Sequence, residues 1–79
     1  MKLKIFVNLK PEILDPQGEA ILNSLRSIGF TEVTKVRQGK VIEIEIESTD
    51  KKIALNQANK MCKELLANVV IEDFKVEFI

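Results

Sequence analysis

A two-layer α+β sandwich with elements in the order strand, helix, strand, strand, helix, strand is the fold class this sequence predicts. Three observations predict it. Apolar residues alternate with polar ones at Leu3, Ile5, Val7 and Leu9, and again at Ile42, Ile44 and Ile46, which is the period of a half-buried strand. Two longer stretches space their apolar residues as helices do, one following the Asp15 cap and the other the Ser48-Thr49-Asp50 turn cluster, which can also cap. The chain has 79 residues, enough for one domain (1–79) but too few for a deep core.

The first strand spans residues 2–9, with Lys2, Lys4, Phe6 and Asn8 on the side opposite the apolar row. Asp15 then caps a helix whose first position is Pro16 and whose apolar pattern runs over 17–28. Proline holds the residue before it extended, the geometry an N-cap needs, and Pro16 loses nothing by lacking an N–H in the first turn. Ile21, Leu22, Leu25 and Ile28 make the apolar stripe, and Gly29 supplies a left-handed stop. Gly18 conflicts with this pattern, because glycine in a helix costs about 1 kcal/mol relative to alanine. Two readings stay open: a tolerated glycine, or a surface that approaches the first turn too closely for a side chain.

Residues 33–38 read as a weakly alternating second strand, and Gln38-Gly39-Lys40 as the tight turn of a hairpin. The third strand, 41–48, points Ile42, Ile44 and Ile46 inward and Glu43, Glu45 and Glu47 outward. The turn cluster Ser48-Thr49-Asp50 precedes a second helix over 51–66, whose stripe is Ala54, Leu55, Ala58, Met61, Cys62, Leu65 and Leu66. A last strand covers 70–79, with Phe74, Val76 and Phe78 toward the core. The crossover rule then favours a ferredoxin-like βαββαβ fold, a four-stranded antiparallel sheet with both helices on one face and strands one and three central. That order sets Lys2 and Lys4 opposite the glutamates of the third strand.

Composition narrows function by exclusion. There is no histidine and only one cysteine, so the chain can build no Ser-His or Cys-His nucleophile, no Cys/His zinc cluster and no disulfide of its own. Cys62 falls on an apolar stripe and reads as core. The three glycines are isolated, so no phosphate-cradling loop is present, and the loop after the first strand lacks the arginine of an acylphosphatase-like enzyme. Twelve basic residues balance twelve acidic ones, unlike the basic face of a nucleic-acid binder, and the third strand offers glutamates where stacking aromatics would be needed. The glutamate row reads as a solvated, lysine-paired face rather than a cation site. No stretch has the length and hydrophobicity of a membrane span and no signal peptide is apparent, which favours a reducing cytoplasm. What remains is a domain that binds protein, with self-association as its simplest added source of stability.

Three segments carry a family resemblance. They are Leu9-Lys10-Pro11-Glu12-Ile13-Leu14-Asp15-Pro16-Gln17-Gly18 with Ala20, then Gly29-Phe30 with Val36-Arg37-Gln38-Gly39-Lys40, then 62–68 with Val70-Ile71-Glu72-Asp73-Phe74. Together they resemble the PurS-type small subunits of phosphoribosylformylglycinamidine synthase, an enzyme of purine biosynthesis. Val69 departs from the family, which commonly has proline there, and a looser turn is expected. The resemblance implies a non-catalytic subunit that forms a dimer or a dimer of dimers. It also implies that the chain joins a glutaminase to a large ligase subunit, which holds ATP and Mg, so that ammonia reaches formylglycinamide ribonucleotide. No cofactor, nucleic acid or membrane is expected on this chain. The implied partner contacts are Lys10, Pro11, Asp15, Pro16, Gln17 and Gly18 on one segment and Arg37, Gly39 and Lys40 on a hairpin tip. The alternative is a regulatory small-molecule-binding domain of the ACT kind, which shares the element order.

Overall fold

The computed structural model describes all residues, 1–79. Its elements are β1 (Lys2–Leu9), α1 (Pro16–Ser27), β2 (Gly39–Glu45), α2 (Lys51–Met61), a π-helical extension (Cys62–Leu66) and β3 (Glu72–Phe78). β1 lies between β2 and β3 and pairs antiparallel with both. Its alternation accounts for the core: Leu3, Ile5 and Val7 are fully buried, and Ile42, Ile44, Phe74 and Val76 pack around them from the flanking strands. On the other face Lys2 stands opposite Glu45 and Lys4 opposite Glu43, at 3.6 and 3.8 Å, as the sequence predicts.

α2 covers the apolar face through Ala54, Ala58 and Cys62, all fully buried and one helical turn apart. Three small side chains in a row let the helix sit close to the sheet. The last turn then widens, with the Ala67 N–H donating to the Cys62 carbonyl five residues back. This shift packs Leu66 on the core and turns Leu65, expected in the stripe, out to solvent.

The predicted fourth strand is the main correction. Residues 33–38 are extended but pair with nothing, so the sheet has three strands, not the four of the ferredoxin-like arrangement. The hairpin is absent too. Gly39 opens β2 opposite Asn8, and Lys40 lies opposite Val7. The outer edge of β2 stays open: the Gln38 N–H goes to the Asp15 carboxylate, which ties 33–38 to the start of α1 instead of laying it along β2.

α1 begins at Pro16, as expected from the Asp15 cap, and Gly29 follows it at φ 110°. It does not complete the second layer, because it makes no extensive contact with the sheet or with α2. Residues 30–38 return along it, and the two form an arm. The molecule measures 48 × 25 × 14 Å, whereas an eight-residue strand spans only about 26 Å. Its radius of gyration is 16.0 Å, against about 12 Å for a compact chain of this length. Its accessible surface, 5927 Å², exceeds that of a compact 9.0 kDa monomer by about 1,000 Å².

Candidate functional site

The two segments predicted as separate contacts meet at the root of this arm. Asp15 organises the junction. Its extended backbone caps α1, and one carboxylate oxygen accepts from the Gly18 N–H at 2.9 Å. The other oxygen accepts from the Gln38 N–H at 2.6 Å, tying the returning segment to the helix start. The Gln38 and Gly18 amides, helped by the nearby Arg37 charge, hold the Asp15 carboxyl below its ordinary value, against the opposing effect of its burial. Gln38 also donates from its side-chain amide to Gln17 at 2.9 Å.

Gly18 resolves one of the two readings left open by the sequence. A Cβ there would run into the Val36 carbonyl and sit 2.7 Å from an Asp15 oxygen. The surface that approaches is the chain's own arm. Gly39 is fixed in the same way, since its Cβ would strike the Asn8 side-chain oxygen and lie 2.8 Å from the Val7 carbonyl.

Arg37 reaches in the other direction. It donates to the Ile13 and Lys10 carbonyls at 2.8 and 2.9 Å and more distantly to that of Leu9. These bonds shape the 10–13 turn, which the Ile13 N–H closes onto the Lys10 carbonyl. Lys10, Pro11, Pro16 and Lys40 keep side chains at the surface around this junction, Lys10 the least exposed of the four. A shallow cleft of about 250 Å³ lies among Leu9, Asp15, Gln17, Gln38, Lys40 and Glu72. It mixes one ammonium with two carboxylates, and Asp15 already has both oxygens engaged.

Sequence reasoning missed Gln38 as the second ligand of Asp15, and Asn68, which organises a neighbouring turn. Asn68 makes up for the absent proline. Its side chain accepts from the Val70 N–H, its carbonyl accepts from Ile71 and Glu72, and its own N–H donates to the Glu72 carboxylate at 2.7 Å. An Asn two residues before an exposed Val is a visible Asx-turn signal. No comparable local signal marks Gln38, whose partner lies 23 residues away. Elsewhere, burial pushes the Cys62 thiol up, and no three His, Cys, Asp or Glu side chains converge as metal ligands would.

A rigid junction, an arm with unpaired backbone and a sheet stabilised on one side define a small docking module, whose chemistry is that of surfaces. Comparison with known proteins gives the family. Residues 2–79 match the PurS family, described as phosphoribosylformylglycinamidine (FGAM) synthase. The chain is 45% identical over 76 residues to the phosphoribosylformylglycinamidine synthase subunit PurS of Bacillus subtilis (strain 168), covering 96% of this chain and 89% of that protein. It superimposes on the crystal structure of the purS subunit from Thermotoga maritima with a TM-score of 0.89, at 37% identity over 99% of this chain and 90% of that one. It also superimposes on a chain in the structure of PurLQS from Thermotoga maritima with a TM-score of 0.90, again 37% identical, covering 99% of this chain and 95% of that one. This chain belongs to the PurS family, as the three motif segments imply, and the ACT-like alternative is not favoured.

Proposed function

We propose that this chain is the assembly subunit of a glutamine-dependent FGAM synthase, supplying no reactive group and joining a glutaminase subunit to an ATP-dependent large subunit. Ammonia released by one partner then reaches formylglycinamide ribonucleotide on the other without mixing with solvent. ATP and Mg belong to the large subunit in this reading, and the work is done in the cytoplasm. Family membership supports the enzyme. The role of this chain within it rests on a single observation, that the arm is unfinished in the isolated chain.

No backbone N–H from Thr31 to Arg37 has a hydrogen-bond partner within the chain. Beside this open edge, Ile21, Ile28 and Phe30 are exposed. Exposed extended backbone next to apolar side chains is the arrangement that pairs with another strand. We infer that a second copy fills it. The 33–38 segments then serve as the fourth strand missing from the monomer, and the excess surface is close to what one partner buries in an ordinary interface, about 800 Å². Lys10, Pro11, Pro16 and Lys40 are the surface groups proposed to touch the larger subunits. Asp15, Gln17, Gly18, Arg37 and Gly39 contribute by holding the junction that displays them.

The test is reconstitution. Amidation is measured with the two larger subunits, with and without this chain, using either glutamine or added ammonium as the nitrogen source. Coupling predicts that glutamine-driven turnover needs the chain and ammonium-driven turnover largely does not. Equal dependence of both, or of neither, would refute it.

A further inference from the structure

The sheet is unfinished along β2. Hydrogen bonds between β1 and β2 alternate, and Met1 sets their phase: its amino group donates to the Ile46 carbonyl, and its carbonyl accepts from the Ile46 N–H. The amides of Val41, Glu43 and Glu45 therefore point to the outer edge of β2, where no strand lies. The helical layer is half-built there as well. α2 leans toward β3, with Lys51 over the Phe78 ring at 5.6 Å, and leaves Ile42 and Ile44 of β2, and Ile46 beyond it, only half-buried. The arm carries the complement of both gaps. Its amides from Thr31 to Arg37 are unpaired, and Ile21, Leu25 and Ile28 share one open face of α1.

We propose that two copies exchange arms. The 33–38 segment of each lies along the outer edge of its partner's β2, and the open face of α1 covers the isoleucines that α2 leaves half-buried. The inference rests on the self-association proposed above and excludes its simpler form, in which two arms pair with each other and β2 stays open. A chain cannot fill these gaps with its own arm while the junction holds, because Asp15 ties Gln38 to the start of α1 and Arg37 ties the arm to the 10–13 turn. The extents match: 33–38 spans about 20 Å and α1 about 18 Å, against about 23 Å for β2. The charges match too. Lys35 is exposed and has no ion pair in the chain, and beside half-buried Val36 it takes the solvent side, where β2 presents Glu43 and Glu45. Pairing arm with arm would instead bring Lys35 and Arg37 of both copies onto one edge, which like charges disfavour. Exchange under a two-fold axis closes both gaps in both copies at once.

The test is sedimentation of the full chain over a range of concentrations, comparing wild type with Glu43→Pro. Proline there removes only an N–H that points away from β1, so the ladder within the monomer is kept while a strand arriving at the outer edge is blocked. Exchange predicts that Glu43→Pro weakens dimerisation about tenfold or more. Unchanged dimerisation would overturn the exchange and leave arm-on-arm pairing. Hydrogen exchange of the wild-type chain decides the matter should the proline variant fail to fold. The amides of Val41, Glu43 and Glu45 should become protected with rising concentration, and free exchange of these three in a chain that sediments as a dimer would equally overturn the proposal. A wild-type chain that stays monomeric at every concentration would remove the self-association itself, and the exchange with it, whereas loss of glutamine coupling alone would touch neither.

Discussion

The sheet and the arm are built from similar sequence and reach opposite outcomes. In the sheet, β1 finds partners on both edges, and α2 closes over Leu3, Ile5 and Val7. In the arm, 33–38 carries valines and threonine that suit a strand equally well, yet joins neither edge of the sheet. α1 keeps its cap and its stop but buries only Gly18 and Leu22. Helix signals and strand propensity settle the local conformation. Burial depends on what stands alongside, and within this chain nothing stands alongside the arm's open edge.

The sharpest way to break this comparison is to truncate one side chain in each half. Ile5→Ala removes a fully buried side chain from the core and should cost about 2–5 kcal/mol in urea unfolding of the dilute chain. Ile28→Ala, on the arm and largely exposed, should change that stability by less than about 0.5 kcal/mol and act on self-association instead. Equal losses would mean that the arm is already packed in the monomer.

The junction comes next. Gly18→Ala sets a methyl group against the Val36 carbonyl, which is backbone and cannot simply rotate aside. Thermal unfolding should show a loss of about 1–3 kcal/mol, the usual cost of overpacking. A neutral result would return Gly18 to a merely tolerated glycine.

Asp15 gives the junction a pH dependence. Its carboxyl is held below the ordinary value of 3.8, chiefly by the Gln38 N–H and then by that of Gly18. A lowered value in the folded chain means that its contribution is complete above about pH 4 and fades as pH falls through the lowered value. Wild type should therefore lose stability below pH 4 more steeply than Asp15→Asn, which has no charge there to lose. Parallel pH profiles would show that these bonds do not bear on folding.

The smallest effect belongs to the charged face of the sheet. Lys4→Ala breaks an exposed pair with Glu43 and should cost about 0.2–1 kcal/mol, less in high salt. A larger loss would mean that this face is covered.

What the sequence made legible divides along the same line. The β1 alternation, the Asp15-Pro16 start, the Gly29 stop and the lysine–glutamate pairing across β1 and β2 all follow from neighbours in sequence or from simple strand register. The hairpin at Gly39 was misread because its real constraint, the Asn8 side chain, comes from another strand. Arg37 was expected to be a partner contact on a hairpin tip, yet its donors serve carbonyls 24 to 28 residues away in the same chain. The open second strand could not be foreseen from propensity, which reports that a segment can be extended and not whether an edge awaits it. The two candidate segments were expected apart and the structure joins them at one junction, where Asp15, Gly18, Arg37 and Gly39 make contacts within the chain.

Amide hydrogen exchange measured as a function of protein concentration tests the central claim most directly. If a second copy completes the arm, the amides from Thr31 to Arg37 are protected at high concentration and exchange freely on dilution, while those of β1 stay protected throughout. Exchange in 31–37 that is the same at every concentration, with β1 still protected, would contradict it.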